Sequence, residues 1–292
     1  MLVGLQDWHK VCPTCRYEKA TLTPTINETT HSPSLNEGAR ALGLRRVRQI
    51  NFRRLLQQIL KLIPRGSTLL DVGCAHGWFL EIASTKLKVE GIEPDRRIYE
   101  ETLRRGLPLR YGYFPEALAP SDQYDVITFN DVIEHIPDVH LALQAVTEHL
   151  NTEGILLLNV PNRDGVFYRL SKAFCRIGIP SFFDRLWQVG LPSPHLHYFN
   201  RKSLTKLLVR SGFKVQRYGR LETIVLSGLY KRISYVGSNY WLVNALLYLA
   251  IAAVLPILKL LPSDIFYIVA TPERRLCTHI ADTTEVTHAP AD

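Results

Sequence analysis

The chain has 292 residues, 46% of them hydrophobic, and a formal charge of +8. That length supports one domain with additions around a large core, and the composition is that of an ordinary globular protein. The five cysteines form an odd, scattered set behind no secretory signal. They argue against a disulfide scaffold and for reduced thiols in the cytosol.

In chain order, residues 1–38 read as an irregular N-terminal segment. Its stretch 21–34, rich in Thr, Pro, Asn and Ser, reads as a flexible tether. Cys12-Pro13-Thr14-Cys15 has the spacing of one zinc knuckle. A structural zinc needs four ligands; no second Cys-x-x-Cys follows, and His9 and His31 are no more than possible partners. A decayed remnant is the expectation, and no metal is assigned.

Between Arg40 and Arg65 there are eight Arg or Lys and no acid. Phe52, Leu55, Leu56, Ile59, Leu60 and Ile63 recur at helical spacing, so this is a basic amphipathic helix. It either covers a sheet and shows a solvated basic face, or is drawn to an anionic membrane surface or an anionic substrate.

From about residue 40, helix and strand patterns alternate, as in a parallel sheet with helices on both faces. Strands are expected near 68–73, 88–93, 109–113, 124–130 and 154–160, and helices near 77–86, 95–105 and 138–150. Residues 162–200 form a long aromatic and basic insertion after the fifth strand, with Phe167, Tyr168, Phe174, Phe182, Phe183 and Trp187. Ligands sit at the carboxyl ends of the strands in such sheets, so the insertion is expected to be a lid or a substrate pocket, the alternative being a packed helical flap. Two more strands are expected near 213–218 and 265–271. Residues 228–262 between them form a hydrophobic helical insertion, and 274–292 a flexible tail.

Within that insertion, 242–261 is nearly all apolar, broken by Asn244, Pro256 and Lys259. Twenty helical residues span about 30 Å, enough for a bilayer. A single crossing would put the two flanking strands on opposite sides of a membrane. A re-entrant or interfacial helical hairpin kinked at Pro256 avoids this. Membrane-surface association through 241–262 is favoured over a helix pair buried on the domain or a partner, and over a true crossing.

The stretch Leu69-Leu70-Asp71-Val72-Gly73-Cys74-Ala75-His76-Gly77-Trp78 reads as a buried strand, a glycine turn and a helix start. Val89-Glu90-Gly91-Ile92-Glu93 reads as a second strand ending in a carboxylate. This is half of a nucleotide-type cofactor site. A dinucleotide fingerprint needs glycines at the first, third and sixth turn positions, which here are Gly73, Ala75 and Trp78. A cofactor without a pyrophosphate fits better.

These segments resemble the first motif of class I S-adenosylmethionine-dependent methyltransferases, in the Asp-x-Gly-Cys-x-x-Gly variant. The resemblance extends to Tyr124-Asp125-Val126-Ile127-Thr128-Phe129-Asn130-Asp131, to Gly154-Ile155-Leu156-Leu157-Leu158-Asn159, and to His195-Leu196-His197-Tyr198-Phe199, a match to a small-molecule subgroup. It implies an α/β fold: a doubly wound, Rossmann-like seven-stranded sheet of five or six parallel strands plus an antiparallel last strand. It implies S-adenosyl-L-methionine as cofactor. Asp71, Gly73, Cys74 and Gly77 would hold the methionine half, Glu93 the ribose, Phe114 (with Glu116 nearby) the adenine, and Asn130 and Asp131 the methionine or the acceptor. A carboxylate at a strand end can accept two hydrogen bonds from a vicinal diol.

A hydroxyl acceptor benefits from a base, and His135 and His197 are the candidates. His195 and His197 alternate on an extended segment and point to opposite sides. The expected activity is methyl transfer to oxygen or carbon of a small or lipid-like acceptor, in the cytoplasm and at a membrane surface. A non-catalytic scaffold of a membrane complex is the alternative. A nucleic-acid methyltransferase is disfavoured, because the Asn/Asp-Pro-Pro-aromatic motif of base-modifying members is replaced by Asn130-Asp131-Val132-Ile133. Oligomeric state is not legible.

Overall fold

A computed structural model describes residues 1–28, 37–236 and 241–273. The expected tail, 274–292, and much of the expected tether lie outside the described residues. In chain order the elements are β1 (Leu2–Val3), β2 (His9–Val11), β3 (Glu18–Ala20), α1 (Glu37–Ile59), β4 (Thr68–Val72), α2 (Trp78–Ala83), β5 (Lys88–Glu93), α3 (Arg96–Leu103), β6 (Leu109–Tyr111) and β7 (Tyr124–Asn130). There follow a 3-10 turn (Ile133–His135), α4 (Val139–His149), β8 (Leu150–Pro161), α5 (Val166–Arg176), α6 (Ser181–Leu186), β9 (His197–Tyr198), α7 (Arg201–Arg210), β10 (Phe213–Arg220), α8 (Leu229–Val236), α9 (Trp241–Leu260) and β11 (Ile265–Pro272).

The main sheet has seven strands in the order β10-β11-β8-β7-β4-β5-β6. β4 to β8 pair in parallel, and β11 runs antiparallel between β8 and β10. Strand side chains alternate between faces, and the two cores follow that alternation. Leu70, Ile127, Phe129, Leu156, Leu158 and Ile268 face one layer. Leu69, Val126, Leu157 and Val269 face the other, where Phe52, Leu55, Leu56 and Ile59 of α1 cover them. The amphipathic helix therefore covers the sheet, while Arg45, Arg46, Arg53 and Arg54 stay exposed.

The N-terminal segment is not irregular. β1, β2 and β3 form an antiparallel sheet that continues onto β9. A buried acid ties this sheet to the 162–200 insertion. Glu18 is fully buried and accepts from His9 Nε2 (2.9 Å), Arg163 Nε (2.7 Å), Lys172 Nζ (2.6 Å) and the Tyr168 hydroxyl. Burial alone would raise its pKa. The hydrogen bonds from His9, Lys172 and Tyr168 overcome that and hold the carboxyl well below the usual range.

The insertion is a helical flap. Tyr168, Phe183 and Trp187 are buried in a small core with Ala20 and Tyr198, and Trp8 stacks on Phe183 at 5.7 Å. Of the two expectations for its aromatic residues, a lid or pocket and a packed flap, these three meet the second: they fill a separate small core, because three short strands cannot bury a face unaided.

α8 and α9 fill the excursion between β10 and β11, with Tyr230 and Tyr248 rings 6.3 Å apart. α9 continues through Pro256.

Candidate active site at the carboxyl edge of the sheet

β4 ends in a tight turn whose residues Gly73, Ala75 and Gly77 all have positive φ (65°, 46° and 67°). A Cβ at Gly73 would lie 2.7 Å from Val132 Cγ2, and one at Gly77 2.4 Å from Leu107 Cδ1. Both backbone shape and close packing therefore require glycine there. Cys74 tucks its thiol inward: it is 7% exposed, beside Gly91 and Leu80. α2 is only six residues long, shorter than the 77–86 expected, so the turn's own N–H groups dominate this corner.

Asp71 closes the bottom of the site. It is 1% exposed, and its Oδ1 accepts from Thr128 Oγ1 (2.7 Å) and Asn130 Nδ2 (2.8 Å). Burial pushes its pKa up to about 7, against those two hydrogen bonds. At the tip of β5, Glu93 Oε2 accepts from Ala75 N–H and Oε1 from Asp95 N–H, each at 2.8 Å. Burial also raises Glu93 to about 7; the two N–H bonds oppose this, and the charges of Asp95 and Asp71 add to it. Each Glu93 oxygen retains acceptor capacity.

Two adjoining cavities open at this edge. The first is lined by Asp71, the 73–76 turn, Trp78, Phe79 and Asn130, with Arg48 and Phe52 of α1 as its roof. The second shares Arg48 and Phe52 and adds Leu44, Val47, Asn51, Asp131, Asn159, Thr223 and Ile265. Asn130 Oδ1 and Asn159 Oδ1 are buried and have no hydrogen-bond partner. Asp131 sits in the left-handed region (φ 57°) with its carboxylate 3.8 Å from Arg48 Nη2. Desolvation raises its pKa, and Arg48 counteracts this.

Of the expected site residues, the structure brings Asp71, Gly73, Cys74, Asn130 and Asp131 to these cavities, with Glu93 bonded to the same turn. Gly77 shapes the turn from beneath, buried against Leu107. Phe114 packs edge-on against Phe129 at 5.5 Å and near His149, lining neither cavity.

The two histidines also lie elsewhere. His197 donates from Nε2 to the Ile136 carbonyl (2.8 Å), and its Nδ1 accepts from the Tyr17 hydroxyl, so both ring nitrogens are engaged. Burial lowers its pKa. His135 donates from Nδ1 to the Pro194 carbonyl at 2.9 Å and lies 4.6 Å, ring to ring, from His195. Glu134, His135 and His195 present ligand atoms within 4.8 Å of one another, a grouping able to hold a metal ion. Sequence spacing brought Glu134 and His135 together but not His195. In the Cys12–Cys15 turn, the Arg16 N–H donates to the Cys12 carbonyl at 3.0 Å. His9 is committed to Glu18 and does not turn toward the thiols, and His31 lies outside the described residues.

Arg48, Asn51, Asn159 and Thr223 were not anticipated. Asn159 had a signal: it is the one polar residue in the run Leu156-Leu157-Leu158-Asn159-Val160.

The segment before α1 is docked as well. Asn27 Nδ2 donates to the Pro94 carbonyl (2.7 Å), and its Oδ1 accepts from Arg96 N–H (3.0 Å). Thr25 N–H donates to the Pro192 carbonyl. Residues 25–27 thus strap the loop that follows Glu93.

Comparison with known proteins gives the family. Residues 44–218 match the methyltransferase-domain family, and the chain belongs to that family. Similar curated proteins include the ubiquinone biosynthesis O-methyltransferase of Paramagnetospirillum magneticum, 33% identical over 112 residues, which are 36% of this chain and 45% of that protein. The protein of the same name from Psychrobacter arcticus is 26% identical over 191 residues, covering 60% of this chain and 70% of that one. The chain spans about half the length of most of these curated relatives. Among solved structures, a SAM-dependent methyltransferase from Thermotoga maritima superposes with a TM-score of 0.52 at 17% identity, covering 81% of this chain and 94% of that one. A chain of the complex that contains the Haloferax volcanii Trm112 methyltransferase activator gives 0.54 at 12% identity, covering 82% and 95%. At such identities the likeness is one of fold.

Proposed function

We propose that the chain is an S-adenosylmethionine-dependent methyltransferase. It transfers the methyl group to oxygen or carbon of a small, amphiphilic acceptor, on the cytoplasmic side and at a membrane surface. The observation that carries this reading is electrostatic. Asp71, Glu93 and Asp131 stand at one carboxyl edge with Arg48 as the cation beside them, and burial raises the pKa of all three. Such a site gains from a ligand that brings positive charge and hydroxyl donors. The orphaned carbonyl of Asn130 adds an acceptor for an ammonium or amide donor. The residues present therefore fit the cofactor: Asp71, Asn130 and the Gly73–Gly77 turn toward the methionine half, Glu93 toward the ribose.

When bound, the cofactor supplies a methyl group on a positively charged sulfur, which leaves as a neutral thioether. The protein's task is alignment of the acceptor about 3–3.5 Å from that carbon. The second cavity adjoins the first at Arg48 and Phe52 and is the place for the acceptor. Asn159 there offers a buried acceptor atom to a hydroxyl. Asp131, the carboxylate of that cavity, takes the hydroxyl proton while Arg48 holds it in place. The names of the curated relatives favour oxygen as the methylated atom.

The test is incubation of the full chain with radiolabelled cofactor and, separately, a lipid extract and a polar extract. Label is expected in an organic-soluble product of the lipid extract. Binding of cofactor with no label transferred to either extract supports a non-catalytic scaffold instead.

A further inference from the structure

The excursion between β10 and β11 leaves the sheet and returns to one place. The Leu221 N–H donates to the Ile265 carbonyl at 3.1 Å, and the Ser263 hydroxyl donates to the Leu221 carbonyl at 2.7 Å. Its long helix, α9, is 20 residues, about 30 Å. α8, at eight residues, packs beside it and is too short to accompany it across a bilayer. A segment closed at its base in this way lies against a surface and does not thread through it.

The face that α9 turns outward is apolar along its length. Leu242, Leu246, Leu249, Ala253, Ile257 and Leu260 recur at helical spacing, and the five larger side chains are between 58% and 83% exposed. Asn244 and Leu255, on the opposite side, are buried. A soluble chain rarely leaves a patch of this extent uncovered.

Charge decides what covers it. α8 packs on α1, and Arg46 Nε donates to Ser227 Oγ at the foot of the excursion. α1 carries Arg45, Arg46, Arg53 and Arg54 exposed, in a stretch with no acid between residues 40 and 65. Two copies apposed through α9 would supply no acid from this stretch to neutralise the arginine strip of α1. Anionic lipid headgroups neutralise the strip while the acyl region takes the apolar face.

The foot of the excursion is also a wall of the acceptor cavity: Thr223 and Ile265 line it opposite Leu44 and Val47 of α1. We propose that the α8–α9 excursion lies in the surface of an anionic bilayer, with the basic face of α1 against the headgroups, and that the amphiphilic acceptor enters its cavity from the lipid, between α1 and the foot of the excursion. The docking stands on the α9 face and the α1 charge; the route for the acceptor rests on the methyl-transfer reading above.

The full chain is floated with phosphatidylcholine vesicles and with vesicles that also contain phosphatidylglycerol. Recruitment is expected to both, about fivefold or more stronger to the anionic ones, with that gain lost at high salt. Leu246→Lys with Leu249→Lys, both on the exposed face and outside every core cluster, should keep the melting temperature and abolish recruitment. Trp241 is 67% exposed, whereas Trp78 and Trp187 are buried and Trp8 is half-buried, stacked on Phe183 in the N-terminal core away from α9. Brominated lipid should therefore quench the wild type and leave Trp241→Phe nearly unchanged. Three results overturn the proposal: wild-type protein that stays unbound with both vesicles, a double-lysine variant that still floats, or a solution dimer in light scattering that the lysines separate. Cofactor binding by calorimetry on the same samples keeps the two readings apart. A chain that floats but binds no cofactor retains the docking and loses the methyl-transfer reading; one that binds cofactor and does not float loses the docking alone.

Discussion

Asn130 and Asp71 form a one-sided pair: the Asn130 amide donates to Asp71 Oδ1 at 2.8 Å, while the Asn130 carbonyl is buried with nothing to accept from. One half of the side chain is thus committed to holding a buried carboxylate, and the other half is presented to a ligand. Asn130→Ala removes both functions. A lost hydrogen bond to a charged group is worth about 1.5–3 kcal/mol, so cofactor affinity should fall at least tenfold in a calorimetric titration. Thr128→Val removes the other donor to Asp71 but lies deeper in the core. It should lower the melting temperature more than Asn130→Ala does.

Asp71 and Glu93 both have pKa values raised to about 7, which fixes a pH dependence. In the unfolded chain these groups ionise near 4. Between about pH 4 and 7 the folded state therefore holds more protons, and the stability of ligand-free protein falls as pH rises through that window. The melting temperature of ligand-free protein should be higher at pH 6 than at pH 8. A ligand that prefers the ionised carboxylates reverses the order: cofactor affinity should rise over the same interval, and thermal scans at saturating cofactor should report a larger stabilisation at pH 8.

The Asn27 strap touches the backbone on either side of Asp95, directly after Glu93. Neither contact contributes to the sheet. Asn27→Gly, which removes the side chain and suits the positive φ of 69° at this position, should raise the cofactor dissociation constant a few-fold and leave the melting temperature within a degree or two. Hydrogen exchange should quicken at the Arg96 amide, which loses its acceptor.

His197 and Asp131 separate structural from chemical roles. With both ring nitrogens engaged and Tyr17 stacked on it at 6.0 Å, His197 joins the N-terminal sheet to the loop after the 3-10 turn. His197→Ala should destabilise the protein, by about 1–3 kcal/mol for the buried donor and acceptor left unpaired, without moving the pH profile of label transfer. Asp131→Asn, measured at saturating cofactor, should lose turnover by about 100-fold or more, a larger loss than the weakening of cofactor binding that removing one of the three carboxylates brings.

The strand–turn–strand unit from Leu69 to Glu93 was legible because its information is local. A continuous apolar run, glycines at the positive-φ positions and a terminal acid are all written within 25 residues. The seven-stranded sheet with its antiparallel last strand followed from the family resemblance, and the strands at 213–220 and 265–272 emerged where the pattern put them. The N-terminal sheet was opaque for the opposite reason. Its strands are two or three residues long, and the contact between Tyr17 and His197 spans 180 residues. Glu18 reads as a surface acid until His9, Arg163 and Lys172 are brought around it. The aromatic residues of the insertion read as a pocket because composition does not say which partner they cover. The second cavity draws Arg48, Asp131, Asn159 and Thr223 from four separate segments, and no single stretch of sequence contains it.

On the proposed function, the crevice between the Gly73–Gly77 turn and Glu93 binds a sulfonium methyl donor. The most direct measurement is calorimetric titration of S-adenosylmethionine into the wild type and Glu93→Ala at pH 8. Saturable one-to-one binding to the wild type, lost in a variant that still melts cooperatively, is the predicted result. No heat with the wild type, or an unchanged dissociation constant in the variant, contradicts it.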